Sequence, residues 1–148
     1  LLNNIAQDQK VSISHVKPHG AVYNRAAKDK TVAQALGEAV TQVDPSLKVM
    51  GLAGSIMLDV FDQMGLEIMA EAFADRTYEA DGSLRNRKYD DALITKPEKA
   101  AKQTEMMVSG KIIAVDGSEV AINAQTLCIH SDTPNAVAIA KAVNKVIS

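Results

Sequence analysis

Residues 48–73 read KVMGLAGSIMLDVFDQMGLEIMAEAF, and this stretch decides the fold. Lys48 to Ala53 is a short apolar run with the length of a buried strand. Gly54-Ser55 breaks it. Ile56, Val60, Phe61 and Met64 then recur at helical spacing, and Gly65 closes the helix. Leu66 to Phe73 is again short and apolar. A strand, a helix and a strand joined in this way place the two strands parallel, because the helix carries the chain back to the starting edge.

The alternation extends in both directions. Upstream, Val11-Ser12-Ile13-Ser14-His15-Val16 alternates like a strand, and Lys17-Pro18-His19-Gly20 ends it. Ala21 to Lys28 reads as a short helix. Thr31 is placed to cap the next one, whose apolar face is Val32, Leu36, Val40 and Val43, with Asp44-Pro45 as its stop. Downstream, Asp75 to Asp91 is a polar segment longer than an ordinary connection. Pro97 suits the first turn of a helix that Gly110 ends. Val120 to Ile129 covers the last strand region. Thr133 as N-cap and Pro134 behind it open a final helix with Ala136, Ile139, Ala140, Val143 and Ile147 as its stripe. The expectation is a single α/β domain over residues 1–148, holding about four βα units, roughly half of a β/α barrel. The opening Leu1-Leu2-Asn3-Asn4-Ile5-Ala6 has helical spacing and no initiator methionine, and it reads as the tail of a helix that began earlier.

Composition narrows the function classes. The 148 residues are 47% hydrophobic and 23% charged with a formal net charge of −2, which is ordinary for a globular chain. That balance offers no basic face to nucleic acid or to an anionic membrane. With no tryptophan, three tyrosines and two phenylalanines, a surface for stacking bases or sugars is not expected. No apolar run approaches the ~20 residues that span a bilayer. Cys128 is the sole cysteine, so the chain forms no internal disulfide, in keeping with a reducing, cytoplasmic location.

In parallel α/β folds the ligand site lies at the carboxyl ends of the strands. Here those ends carry Lys17 and His19, then Asp75-Arg76, then His130 and Asp132. Convergence of such residues on one face is what a catalytic site needs. His19, between Pro18 and Gly20, is a candidate general acid or base, or else a loop histidine bonded to a carbonyl. His15 falls within the strand pattern and reads as structural. Asp75-Arg76 pairs a carboxylate base with a cation suited to gripping a carboxylate or phosphate, unless it is a local ion pair closing the loop. His130 and Asp132 alternate at the end of an apolar strand and are read as an acid/base pair or as two ligands of a divalent metal, the alternative for Asp132 being a helix cap. Arg85, Arg87 and Lys88 make the long loop basic, so it either stands in solvent or folds over an anionic substrate. Cys128 reads as a small buried hydrophobe. A P-loop, a GxGxxG turn, an HExxH pair and a CxxC pair are all missing from the sequence. Gly51-Leu52-Ala53-Gly54-Ser55 reads more readily as helix packing than as an anion cradle.

Four stretches carry a resemblance. They are His15-Val16-Lys17-Pro18-His19-Gly20-Ala21-Val22-Tyr23-Asn24, Glu71-Ala72-Phe73-Ala74-Asp75-Arg76-Thr77-Tyr78, Asp81-Gly82-Ser83-Leu84-Arg85-Asn86-Arg87, and Leu127-Cys128-Ile129-His130-Ser131-Asp132-Thr133-Pro134. In this order and spacing they resemble the LamB/YcsF family over nearly the whole chain. Ser131 stands where the family often has glycine, and the family's N-terminal region has no counterpart. The resemblance implies a deacetylase-like (β/α) barrel, here incomplete and lacking its N-terminal strands. It implies the reaction of the A subunit of 5-oxoprolinase beside subunits B and C, namely hydrolysis of 5-oxo-L-proline to L-glutamate with cleavage of ATP to ADP and phosphate. His19, Asp75, His130 and Asp132 are then the expected catalytic groups, and Lys17 and Arg76 the expected substrate-binding groups. Two alternatives are a metal-dependent deacetylase acting on a carbohydrate amide and a non-catalytic interaction module.

Overall fold

A computed structural model describes residues 2–148 of the chain. Leu1, which the sequence places in the opening helix, lies outside the described residues. The described residues gather into two compact units that divide between Met69 and Ala70.

The first unit holds α1 (Leu2–Asp8), β1 (His15–Val16), α2 (Gly20–Ala26), α3 (Lys30–Val43), β2 (Lys48–Leu52), α4 (Ile56–Gln63) and the start of β3 (Ile68–Phe73). β1 runs parallel to β2, with Val16 opposite Val49. The first strand is shorter than its alternating pattern suggests, because the Val11 N–H bonds back to the Ala6 carbonyl at the end of α1 (3.0 Å) instead of joining a ladder. The cap of α3 is Asp29 and not Thr31. The Asp29 carboxylate accepts from the Thr31 and Val32 N–H groups at 3.0 and 3.3 Å. The face of α3 that is fully buried is Ala33 and Gly37. Gly37 permits a close approach: a Cβ there would lie 2.6 Å from the Met64 sulfur and 3.3 Å from the Phe61 ring. Leu36 and Val40 are half-buried, and Val43 stands 81% exposed.

The second unit takes the rest of β3, α5 (Pro97–Val108), β4 (Lys111–Ile113), β5 (Glu119–Ala121), β6 (Thr126–Cys128) and α6 (Ala136–Ile147). β3 and β6 are parallel, with Phe73 opposite Cys128. The region expected as one strand from Val120 to Ile129 is two strands. β5 folds back on β4 as an antiparallel hairpin through Gly117 at φ 88°, and only Thr126–Cys128 joins β3. Ala74, Ala100, Ile139 and Val143 form the core under α5 and α6, with Ile94, Leu127 and Ile129 packed against it. The parallel strands and the helices that follow them meet the expectation of an α/β chain built as part of a β/α barrel. Among the described residues no helix is long and apolar enough to cross a membrane.

The packing face of α6 has a direct test in urea denaturation. Ile139 has no exposed surface, so Ile139→Ala is expected to cost about 2–5 kcal/mol. Val137 is 71% exposed, and Val137→Ala should stay within about 0.5 kcal/mol of the parent.

Candidate active site

Just past its last ladder position, β3 becomes a tightly bonded turn. Ala74 N–H still reaches the Cys128 carbonyl (3.1 Å), and Asp75 then points its side chain across to the end of β6. Asp75 has no exposed surface. Its carboxylate accepts from the His130 backbone N–H (2.9 Å), from the Thr133 hydroxyl (2.6 Å) and from His130 Nδ1, which lies 3.1 and 3.0 Å from its two oxygens. Burial raises the carboxyl pKa, but these hydrogen bonds outweigh it and hold the group below its ordinary value.

A carboxylate only accepts, so the hydrogen between it and the imidazole sits on Nδ1. The lone pair of a neutral His130 is then on Nε2. The ring stacks on Phe73 with centroids 5.3 Å apart and planes 19° from parallel. Its side chain is 24% accessible. An imidazole held at one nitrogen and along one face, with the other nitrogen carrying a lone pair, is built to take a proton from a water or a substrate.

The remaining expected groups have surroundings of their own. Asp132 does not pair with His130. It is exposed and lies 3.4 Å from Arg87 Nη1. Alternation fails there because the strand stops at Cys128, and the partner that His130 does find comes from the turn after the neighbouring strand. Thr133 is not the cap of the last helix, which begins at Ala136 after Asn135 in a left-handed conformation (φ 66°). Thr133 is buried and given to Asp75 instead. Arg76 is buried, and its Nε and Nη2 donate to the carbonyls of Ala92 and Arg85. Burial pulls its pKa down, with the charge of Arg87 adding to the effect. The guanidinium is thus spent on the loop's own carbonyls. Lys17 and His19 belong to the first unit. Lys17 Nζ lies 5.8 Å from the centre of the Tyr23 ring, and His19 is exposed just before α2. Among the described residues, no three His, Cys, Asp or Glu side chains gather as metal ligands.

The segment from Asp75 to Asp91 is anchored and not a free flap. Tyr78 has no exposed surface, and its hydroxyl accepts the Phe73 N–H at 2.7 Å. Burial pushes its phenol far above the ordinary value. Arg85 binds Asp91 (2.6 Å) and Glu79 (3.0 Å) and lies over the Tyr89 ring. Asp81 closes the tip by accepting the Ser83 N–H, with Gly82 at φ 77°. The sequence offered no sign of Thr133 as a partner for Asp75, nor of the buried half of this loop.

Because its folded pKa is depressed, Asp75 contributes stability above the unfolded value of about 3.9, and that contribution is lost as pH falls through the lower folded value. Asp75→Asn should therefore flatten the acid limb of stability against pH. At pH 7 it should cost roughly 1–3 kcal/mol, since one accepting oxygen is kept while the other becomes an NH₂ group set against donors. Denaturant midpoints across pH 2–7 check both expectations.

Residues 1–148 match the LamB/YcsF family. The chain is 51% identical over 140 residues to the 5-oxoprolinase A subunit of Chloroflexus aggregans, covering 94% of this chain and 56% of that protein. It is 47% identical over 137 residues to the 5-oxoprolinase A subunit of Halalkalibacterium halodurans, covering 92% of this chain and 53% of that protein. The crystal structure of a lactam utilization protein from Thermus thermophilus matches with a TM-score of 0.89 at 39% identity, over 99% of this chain and 58% of that one. The chain therefore spans a little over half the length of these relatives. With a match from end to end and relatives at this identity, the chain belongs to the LamB/YcsF family.

Proposed function

We propose that this chain serves, as the A subunit of a 5-oxoprolinase, in the ATP-dependent hydrolysis of 5-oxo-L-proline to L-glutamate, together with subunits B and C. The observation that carries the reading is the buried Asp75 carboxylate bonded to His130 Nδ1 at the ends of two adjacent parallel strands. The names of the relatives supply the substrate class.

A five-membered lactam is a poor electrophile, and its ring closure is favourable, so opening it needs coupling to a second reaction. ATP, the implied co-substrate, supplies a phosphoryl group that turns the amide oxygen into a leaving group. His130 Nε2 takes the proton of the attacking water. Asp75 keeps the imidazole in the tautomer that leaves Nε2 unprotonated and stabilises the imidazolium that forms. The imidazolium then returns the proton to the lactam nitrogen as the carbon–nitrogen bond breaks, and a second water hydrolyses the acyl phosphate so formed, releasing phosphate and glutamate. Asp75 offers its oxygens to His130 and Thr133, a donor set that suits proton transfer better than metal ligation. To Arg87, whose guanidinium is at the surface beside Asp132, we assign the substrate's carboxylate. Lys17 and His19 stay candidates because they follow the carboxyl end of β1.

Glutamate release from 5-oxoproline, with and without ATP, is the assay, run with the partner subunits present. Release is expected only with ATP. His130→Gln should lower kcat by roughly 10²–10⁴-fold, as loss of a general base does. His19→Gln reports on His19 in the same assay. Full turnover by His130→Gln, or ATP-independent release, would overturn the reading.

A further inference from the structure

The carbonyls around Asp75 share one donor. The Asp75 carbonyl itself accepts from Ile94 N–H at 2.9 Å. Those of Phe73, Ala74 and Arg76 all face Nε2 of Gln103, on α5, at 2.9, 3.3 and 2.8 Å. An amide nitrogen has two hydrogens, so Phe73 and Arg76 hold the best-placed ones and Ala74 shares. Carbonyls only accept, so this environment forces the NH₂ end of the amide toward the turn. One turn of helix earlier, Ala100 is buried in the core beside Ala74, which seats α5 against the turn.

The need for such a grip follows from where the ladder ends. Ala74 N–H makes the turn's contact with β6, and beyond it Asp75 is carried by a turn and not by a strand. A small tilt of that backbone moves a carboxylate whose value lies in its position against an imidazole. Displacements of about 1 Å in a reacting constellation can cost about a hundredfold in rate.

We propose that Gln103 is a positioning residue for the Asp75–His130 pair, fixing the backbone on both sides of Asp75 by holding the carbonyls of Phe73 and Arg76. The inference rests on the reading above, that this pair transfers the proton. The bonds of Gln103 go to backbone carbonyls and not to the carboxylate or the imidazole, so it acts through Asp75.

Gln103→Leu removes the donors, and Gln103→Glu keeps the shape while setting acceptors against acceptors. In the ATP-dependent assay with partner subunits, kcat should fall at least about tenfold while KM for 5-oxoproline stays within about twofold, Glu being the worse of the two. Carbon-13 NMR of the Asp75 carboxyl should show its titration midpoint rising toward the ordinary carboxylate value in both variants. Gln103→Asn, which keeps the amide on a shorter arm and is the gentlest change, should show the same rise in smaller measure. An unchanged kcat overturns the inference. So does an unchanged Asp75 titration in folded protein whose melting temperature alone has dropped. Asp75→Asn separates the two claims. If it keeps full turnover, the proton-transfer reading fails and this one with it. If it is inactive while the Gln103 variants retain full kcat, only the role of Gln103 fails.

Discussion

A carboxylate with no exposed surface has lost its water and must find donors in the protein. Asp75 finds them on a single short segment, in the backbone and ring of His130 and the hydroxyl of Thr133. That constraint organises the second unit. It draws the chain after β6 down onto the end of β3, stops the last strand at Cys128, and delays the final helix to Ala136. The same bonds that hold the charge also choose the histidine tautomer, so the stability of the fold and the reactivity of the imidazole have one source.

Around this charge the loop from Asp75 to Asp91 is built from polar groups turned inward. Arg76 and Thr77 bind loop carbonyls, and Tyr78 accepts the N–H of Phe73. Buried polar networks of this kind are stable only when each member is satisfied. The segment looks like a solvated flap by composition, yet its first residues are among the most buried in the chain. Its exposed charges are Asp81, Arg87, Lys88, Asp90 and Asp91, of which Arg87 meets Asp132.

Much of the architecture was legible in the residues, because β-α-β alternation is a property of local apolar runs. The strands around Lys48–Leu52 and Ile68–Phe73 and the helices between glycines appear where their periodicity places them. Asp75 and His130 stood out as strand-end residues, but their pairing did not, since no local pattern links positions on neighbouring strands. The alternation rule pointed to Asp132 as the partner of His130, and it failed because the ladder ends at Cys128, before either residue. Thr133 matched a cap pattern while a buried charge claimed its hydroxyl. Asp29 displaced Thr31 because its side chain reaches two amides at once. The β4–β5 hairpin had a signal in Asp116-Gly117, a dipeptide suited to a tight turn. Gln103 had none, being an ordinary helix former in mid-helix.

The donors to Asp75 lie 55 and 58 residues after it in the chain. During synthesis the carboxylate therefore leaves the ribosome well before anything that can satisfy it. Contacts of such sequence separation form late, after the cost of closing the intervening loop has been met. Until β6 arrives, the turn after β3 has reason to stay open and hydrated, and a chain stopped short of Thr133 would keep it so. Completion of the Asp75–His130 pair and completion of the second unit's fold are then a single event.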